Sequence, residues 1–326
     1  MLNTLSRHGA PGTAAVLAGL LFLGAGACRN GAEAGPAATQ ALDLEALRSA
    51  RSFPGRIVFQ SDMDGDAEIY LLTRRGVVRL TDNGWNDEFP RWSPDGRRIA
   101  FSANPGGSLD IFVMDADGSN IARVTDSPRD EVEPAWASDG AGIAYTEEIK
   151  RPLGKRYTLW LKDVASGKTE RLAAGFSDSA ALAEFSPAAP LLAFTGKKAP
   201  GWDVFIHDLA AGAPRALTDG GHACRPRFSP DGRMIAYVSH EADRKGDVWL
   251  MATDGSRKRR LTLRDETSDY SPAWSPDGRM IVFASSAETM YAHEGRWALY
   301  TADTGTGQVE LLFDGPGRDV FPDWRD

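Results

Sequence analysis

The chain has 326 residues, of which 42% are hydrophobic and 25% charged, an ordinary globular balance with enough apolar content for a large core. Its net charge of −8 argues against the basic surface that nucleic-acid binding needs. Two cysteines, Cys28 and Cys224, allow one intrachain disulfide at most, and none if Cys28 is modified.

In chain order, residues 1–27 read as an export signal. Arg7 gives a positive start, Ala14 to Leu23 is an apolar core too short to span a bilayer securely, and Gly24-Ala25-Gly26-Ala27 are small. The small residues ending at Cys28 resemble a bacterial lipoprotein cleavage box, with Ala25 where such boxes usually carry Leu. The resemblance implies lipidation at Cys28. Arg29, rather than Asp, after the Cys then places the anchor at the periplasmic side of the outer membrane. Residues 28–52 read as a flexible tether, with one short helix over Leu42 to Arg51.

From residue 53 the sequence repeats. Pro90-Arg91-Trp92-Ser93-Pro94-Asp95-Gly96 returns as Trp274-Ser275-Pro276-Asp277-Gly278 and as Phe228-Ser229-Pro230-Asp231-Gly232. Trp136-Ala137-Ser138-Asp139-Gly140, Phe185-Ser186-Pro187 and Phe321-Pro322-Asp323-Trp324 are partial copies. Pro and Asp-Gly set a tight turn between two strands, and the flanking runs are rich in β-formers. Asp110 to Asp115 and Ile121 to Thr125 supply a third and a fourth strand. The anchors 92, 136, 185, 228, 274 and 324 recur roughly every 43 to 50 residues, the period of a four-stranded propeller blade. Residues 56–81 hold a second, third and fourth strand without a first, and Trp324 lies in a first strand without a blade. The expectation for 53–326 is therefore an all-β, six-bladed β-propeller of four-stranded blades, closed by a C-terminal inner strand that completes the first blade.

This unit, Pro-x-Trp-Ser-Pro-Asp-Gly-x-x-Ile-Ala-Phe followed by Asp-Ile-Phe-Val-Met-Asp-Ala-Asp-Gly and Arg-x-Val-Thr, resembles the repeat of TolB-type β-propellers over nearly all of 53–326. The resemblance implies a propeller of that kind. Related propellers serve as binding scaffolds, as gating domains of prolyl oligopeptidases and as a few lyases. TolB itself carries an α/β domain before its propeller and is soluble in the periplasm. The stretch between Cys28 and Phe53 is too short for such a domain, so the expectation is a lipoprotein lacking it.

In such a blade the second-to-third-strand loops and the blade-linking loops share one face, here called the loop face; the Ser-Pro-Asp-Gly turns lie on the other. Long loops with Tyr157, Trp202, Tyr291 and Trp297 in or beside them suit protein or peptide recognition as exposed aromatics, or else cover blade edges. Asp87, Glu88, Glu131, Glu133, Asp178, His222, Asp269 and Asp319 stand just before inner strands. They would converge on the channel mouth, with Arg91, Arg225 and Arg227 as internal partners. The rim is either a site for a basic peptide or a cation, or a set of acceptors for loop amides. Asp110, Asp203, Asp247 and Glu68 hold one repeated place at third-strand starts, which suggests a structural task.

Asp62, Asp64 and Asp66 offer oxygens suited to calcium, without EF-hand spacing. His222, His240 and His293 fall on the loop face. Oligogalacturonate lyases, which are similar propellers, bind a metal through clustered histidines, so a metal-dependent lyase or hydrolase is the competing class; a carbohydrate-binding module is a third. Cys224 reads as a small buried residue, and Arg257-Lys258-Arg259-Arg260 as a solvated edge. No Gly-x-Ser-x-Gly elbow, Cys-x-x-Cys, His-Glu-x-x-His or P-loop occurs. The sequence thus points to a monomeric, non-catalytic, lipid-anchored envelope protein that uses no cofactor and binds a protein or peptide.

Overall fold

Each Ser-Pro-Asp-Gly copy closes a hairpin through its own side chains. Ser93 Oγ donates to Asp95 Oδ1 at 2.6 Å and accepts from the Arg98 amide at 2.9 Å, while Asp95 accepts from the Arg97 amide at 3.1 Å. Gly96 sits at φ 66°, where a side chain would be strained. The same bonds recur at Ser229 with Asp231 and at Ser275 with Asp277. The structure, a computed structural model, describes residues 53–152, 154–176, 179–210, 212–242, 245–288 and 295–326. Cys28, the signal, the tether, Asp178, Tyr291 and His293 lie outside the described residues.

These hairpins build six four-stranded antiparallel sheets. Blade 1 spans 56–79, blade 2 87–123, blade 3 131–171, blade 4 180–216, blade 5 223–260 and blade 6 268–313. Val320–Arg325 completes blade 1 as its inner strand, with Ile57 opposite Trp324 and Arg56 opposite Arg325. First and last described strands thus share one sheet, and the ring closes as expected. Among the described residues there is no helix, and so none long and apolar enough to cross a membrane.

The core lies between blades. Val58, Ile69 and Leu80 of blade 1 pack with Trp92, Ile99 and Phe101 of blade 2; Ala193, Val204 and Ile206 of blade 4 pack with Phe228, Ile235 and Tyr237 of blade 5. Each large side chain buried this way contributes about 1.5–3 kcal/mol, which an isolated blade would forgo. The anchor indoles also reach the preceding blade. Trp136 Nε1 donates to the Arg91 carbonyl at 3.2 Å, and Trp274 Nε1 to the Arg227 carbonyl at 2.9 Å.

The repeated third-strand acids carry the structural task expected of them. Thr218 Oγ1 accepts from the Val204 amide at 2.9 Å and donates to Asp203 at 2.7 Å. Asp110 accepts from the Ser127 amide at 2.9 Å, Asp247 pairs with Arg260 at 2.9 Å, and Glu68 accepts from the Asn83 amide at 2.9 Å. Asp110, Asp203 and Glu68 tie their blades to the loops that leave them, and Asp247 ties the third strand of blade 5 to its fourth.

All six inner strands also break at one place. Phe89, Glu133, Leu182, Arg225, Ser271 and Phe321 take positive φ between 52° and 59°. Pairing slips at each, between Glu88 and Arg91 in blade 2 for example. The next residue is Pro90, Pro134, Pro226, Pro272 or Pro322, with Ala183 in blade 4. A bulge leaves this position outside the ladder, so proline's missing amide costs nothing there.

Candidate functional site

The bulges decide what faces the central channel. The six bulge residues and the prolines beside them line a cavity of about 50 Å³. Glu133 and Arg225, from blades 3 and 5, meet across it in a two-pronged pair, Nη2 to Oε1 at 3.0 Å and Nη1 to Oε2 at 3.3 Å. Arg225 also lies 5.0 Å over the Phe321 ring, which meets Phe89 at 4.5 Å. Burial raises the Glu133 carboxyl above its ordinary value, with Arg225 opposing.

A second layer lies two residues further along each inner strand. Arg91, Glu184, Arg227 and Asp323, from blades 2, 4, 5 and 1, alternate in sign. Arg91 pairs with Glu184, and its Nε is 3.8 Å from Asp323. Arg227 pairs with Asp323, and its Nε is 3.5 Å from Glu184. Asp323 also accepts from the Trp92 amide at 2.7 Å. Beyond this layer, toward the turn face, opens a hollow of about 630 Å³ rimmed by Pro94, Pro187, Pro230 and Pro276.

The acids expected at the channel mouth divide into two groups. Glu133 and Arg225 stand in the channel. Glu88 is buried nearby, and that burial pushes its carboxyl up to about 7, with Arg318 opposing. Asp87, Glu131, Asp269 and Asp319 are buried among their own blades and loops, so among the described residues these acids form no open rim. Asp87 accepts from Asn83 Nδ2 at 2.7 Å, Asp269 from Ser285 Oγ at 2.6 Å, and Asp319 from the Gly315 amide at 2.7 Å. Burial pushes Glu131 and Asp319 up to about 7 and raises Asp87 and Asp269 as well. His222 is exposed.

The expectation of exposed loop aromatics is corrected. Tyr157, Trp202 and Trp297 are buried because they stand at or beside the starts of third strands, where side chains pack between blades. Tyr157 and Trp202 lie 5.7 Å apart, and Trp297 lies 6.1 Å from Tyr270. Among the described residues, the large apolar side chains that the loop face exposes are Trp85 and Leu263, in blade-linking loops. Sequence reading missed them because neither loop is long.

Nor do the candidate metal ligands gather. Among the described residues no group of three or more His, Cys, Asp or Glu is placed to hold a metal ion. His240 Nε2 meets the Tyr270 hydroxyl at 2.6 Å. Asp62 accepts from the Arg318 amide at 2.6 Å. Asp64 accepts from Tyr70 at 2.6 Å and pairs with Arg79 at 3.0 Å, and the tyrosine bond holds its carboxyl below the ordinary value; burial raises that of Asp66. Cys224 is buried, which pushes its thiol up to about 12, so a nucleophilic role has no support.

Comparison with known proteins bears on this arrangement. The family model described as "TolB beta propeller domain" matches residues 51–199 and 113–324. A curated relative, "Dipeptidyl-peptidase 5" of Porphyromonas gingivalis, is 25% identical over 242 residues, covering 58% of this chain and 34% of the relative. A second, "Protein TolB homolog" of Chlorobium chlorochromatii, is 31% identical over 146 residues, covering 44% of this chain and 31% of the relative. The chain thus spans about a third of the length of either. Among solved structures, TolB from Acinetobacter baumannii superposes with a TM-score of 0.70 at 20% identity, covering 84% of this chain and 67% of that one, a likeness of fold.

Proposed function

Since the chain belongs to the TolB-type β-propeller family, we propose that it is a non-catalytic envelope lipoprotein, anchored through Cys28 at the periplasmic side of the outer membrane, whose propeller binds a protein or peptide partner on the loop face around the channel. One observation supports this most. On its loop-face side the channel is crossed by the chain's own ion pairs and keeps about 50 Å³, far below the roughly 300 Å³ at which small-molecule sites begin, while the hollow of about 630 Å³ opens on the turn-face side of those pairs. The loop face, by contrast, carries Trp85, Leu263 and a cleft of about 770 Å³ beside the two hairpins whose paired strands are longest among the described residues. An exposed tryptophan is the kind of residue that anchors protein interfaces by filling a partner's pocket, and the leucine adds apolar area on the same face.

Two measurements test the reading. The mass of the peptide beginning at Cys28, taken from membranes, carries the added acyl chains if the anchor is right. A partner that co-purifies with the full chain is lost or strongly weakened with Trp85→Ala and Leu263→Ser together, while a turn-face change such as Arg279→Ala leaves it bound. Retention by the loop-face double variant refutes the assignment of the face.

A further inference from the structure

Two hairpins of the loop face stand out by length. In blade 3 Gly142–Arg151 pairs with Gly154–Asp163, ten residues a side, and in blade 4 Leu191–Lys198 pairs with Gly201–Asp208, eight a side; the corresponding strands of blades 1, 2 and 5 have six. Their projecting ends are basic. Lys155 stands opposite Lys150, a like-charge pair that costs stability in a ladder, and Lys197 and Lys198 stand opposite Trp202 and Gly201. The two ends face one another across the cleft of about 770 Å³, lined by Arg151, Lys155, Arg156, Lys197 and Lys198, with no acidic residue in its lining among the described residues. Packing beneath holds the walls in place: the Lys197 amide donates to the Ser179 carbonyl at 2.7 Å, and Tyr157 packs on Trp202.

The charge in this cleft is only partly answered from within. Lys155 pairs with Glu148 at 2.6 Å, and Lys150 pairs with Asp130 at 3.0 Å. Arg151, Lys197 and Lys198 form no ion pair among the described residues, although the whole chain is acidic at −8. Clustered cations repel one another, and an anion between them relieves that repulsion. The acidic surroundings would also steer a negative ligand away from other surfaces and toward this one.

We propose that the cleft between the blade 3 and blade 4 hairpins binds an acidic peptide segment of the partner. This rests on the loop-face reading given under Proposed function and names the chemistry the partner brings there. The occupant is a peptide rather than a membrane surface because the cations line a concavity between two walls, which an extended chain enters and a flat sheet of headgroups does not. Arg151 offers a planar fork for side-chain carboxylates, and Lys197 and Lys198 add point charges on the opposite wall.

The test uses the full-length protein, a dye-labelled oligoglutamate peptide and its oligoglutamine counterpart, read by fluorescence anisotropy at two salt concentrations. The oligoglutamate binds, the oligoglutamine does not, and affinity falls with salt. Lys197→Glu with Lys198→Glu weakens binding by about tenfold or more, whereas Arg257→Glu with Lys258→Glu, on the basic run outside the cleft, changes it by less than about twofold. No binding, or equal weakening by both pairs, overturns the proposal. Binding to phosphatidylglycerol vesicles that the Lys197/Lys198 pair abolishes, with no oligoglutamate binding, overturns it in favour of a lipid surface. If the co-purified partner stays bound to the Lys197/Lys198 variant but leaves the Trp85/Leu263 variant, the acidic-segment proposal falls while the loop-face reading stands.

Discussion

Replacing Glu184 by Gln removes the negative charge shared between Arg91 and Arg227 in the second channel layer while keeping the side chain's shape. Glu184 is paired with Arg91 and lies 3.5 Å from Arg227 Nε, with side chains only 14% to 20% exposed. Breaking a buried pair on one side costs about 3–5 kcal/mol because the remaining charge is left uncompensated. Here Asp323 continues to neutralise both arginines, and the layer retains some solvent, so we expect the low end or just under it, ~2–3 kcal/mol. Equilibrium urea unfolding of wild type and Glu184→Gln, followed by tryptophan fluorescence, measures the difference directly. Glu170→Gln is the control: its side chain is 58% exposed and 3.9 Å from Lys168, so its loss is worth under ~0.5 kcal/mol. A Glu184→Gln protein within ~0.5 kcal/mol of wild type would mean that the cross-channel network holds nothing together, and the closed-channel argument would lose its energetic basis.

Further outcomes follow from single groups. Thr218→Val leaves the Val204 amide and Asp203 without a shared partner, so unfolding free energy falls by ~1–3 kcal/mol; a change below ~0.5 kcal/mol denies the strap its role. Asp319 is pushed up to about 7 from an ordinary 3.8, so the folded state binds its proton more tightly than the unfolded chain does. That contribution is fully present below the ordinary value and is lost as pH rises through about 7. Asp319→Asn keeps the acceptor for the Gly315 amide and flattens this decline in urea midpoints between pH 4 and 8; an unchanged slope removes Asp319 as its source. The Cys224 thiol, buried and pushed up to about 12, resists iodoacetamide at pH 8 until the protein unfolds, and rapid labelling of the native protein contradicts that burial.

Much of the ring was legible because its signal is redundant. Trp-Ser-Pro-Asp-Gly forms its turn through local bonds, so each copy announces its own hairpin, and the orphan strands at the two ends imply closure. The channel was less legible. Asp87 and Glu133 both precede an inner-strand tryptophan, yet one turns into its blade and the other into the channel, because the bulge at Phe89 and Glu133 resets which residues face inward. Alternation counted along the sequence does not contain that reset. Glu184 and Asp323 were recoverable only by aligning the copies on Arg91 and Arg227, and their pairing spans about ninety residues across the ring. Tyr157, Trp202 and Trp297 misled because long loops bracket them, whereas burial follows from their place at third-strand starts. The basic cleft was hidden for a similar reason. Its two walls are separate short runs in sequence, Arg151 with Lys155 and Arg156, and Lys197 with Lys198, that only neighbouring blades bring together.

Site-specific photo-crosslinking in intact envelopes tests the central claim most directly. A crosslinking residue is placed at position 198 or 85 on the loop face, and at position 279 or 233 on the turn face. The account predicts partner adducts from the loop-face positions and none from the turn-face positions. Adducts confined to the turn face, around the hollow of about 630 Å³, would contradict it.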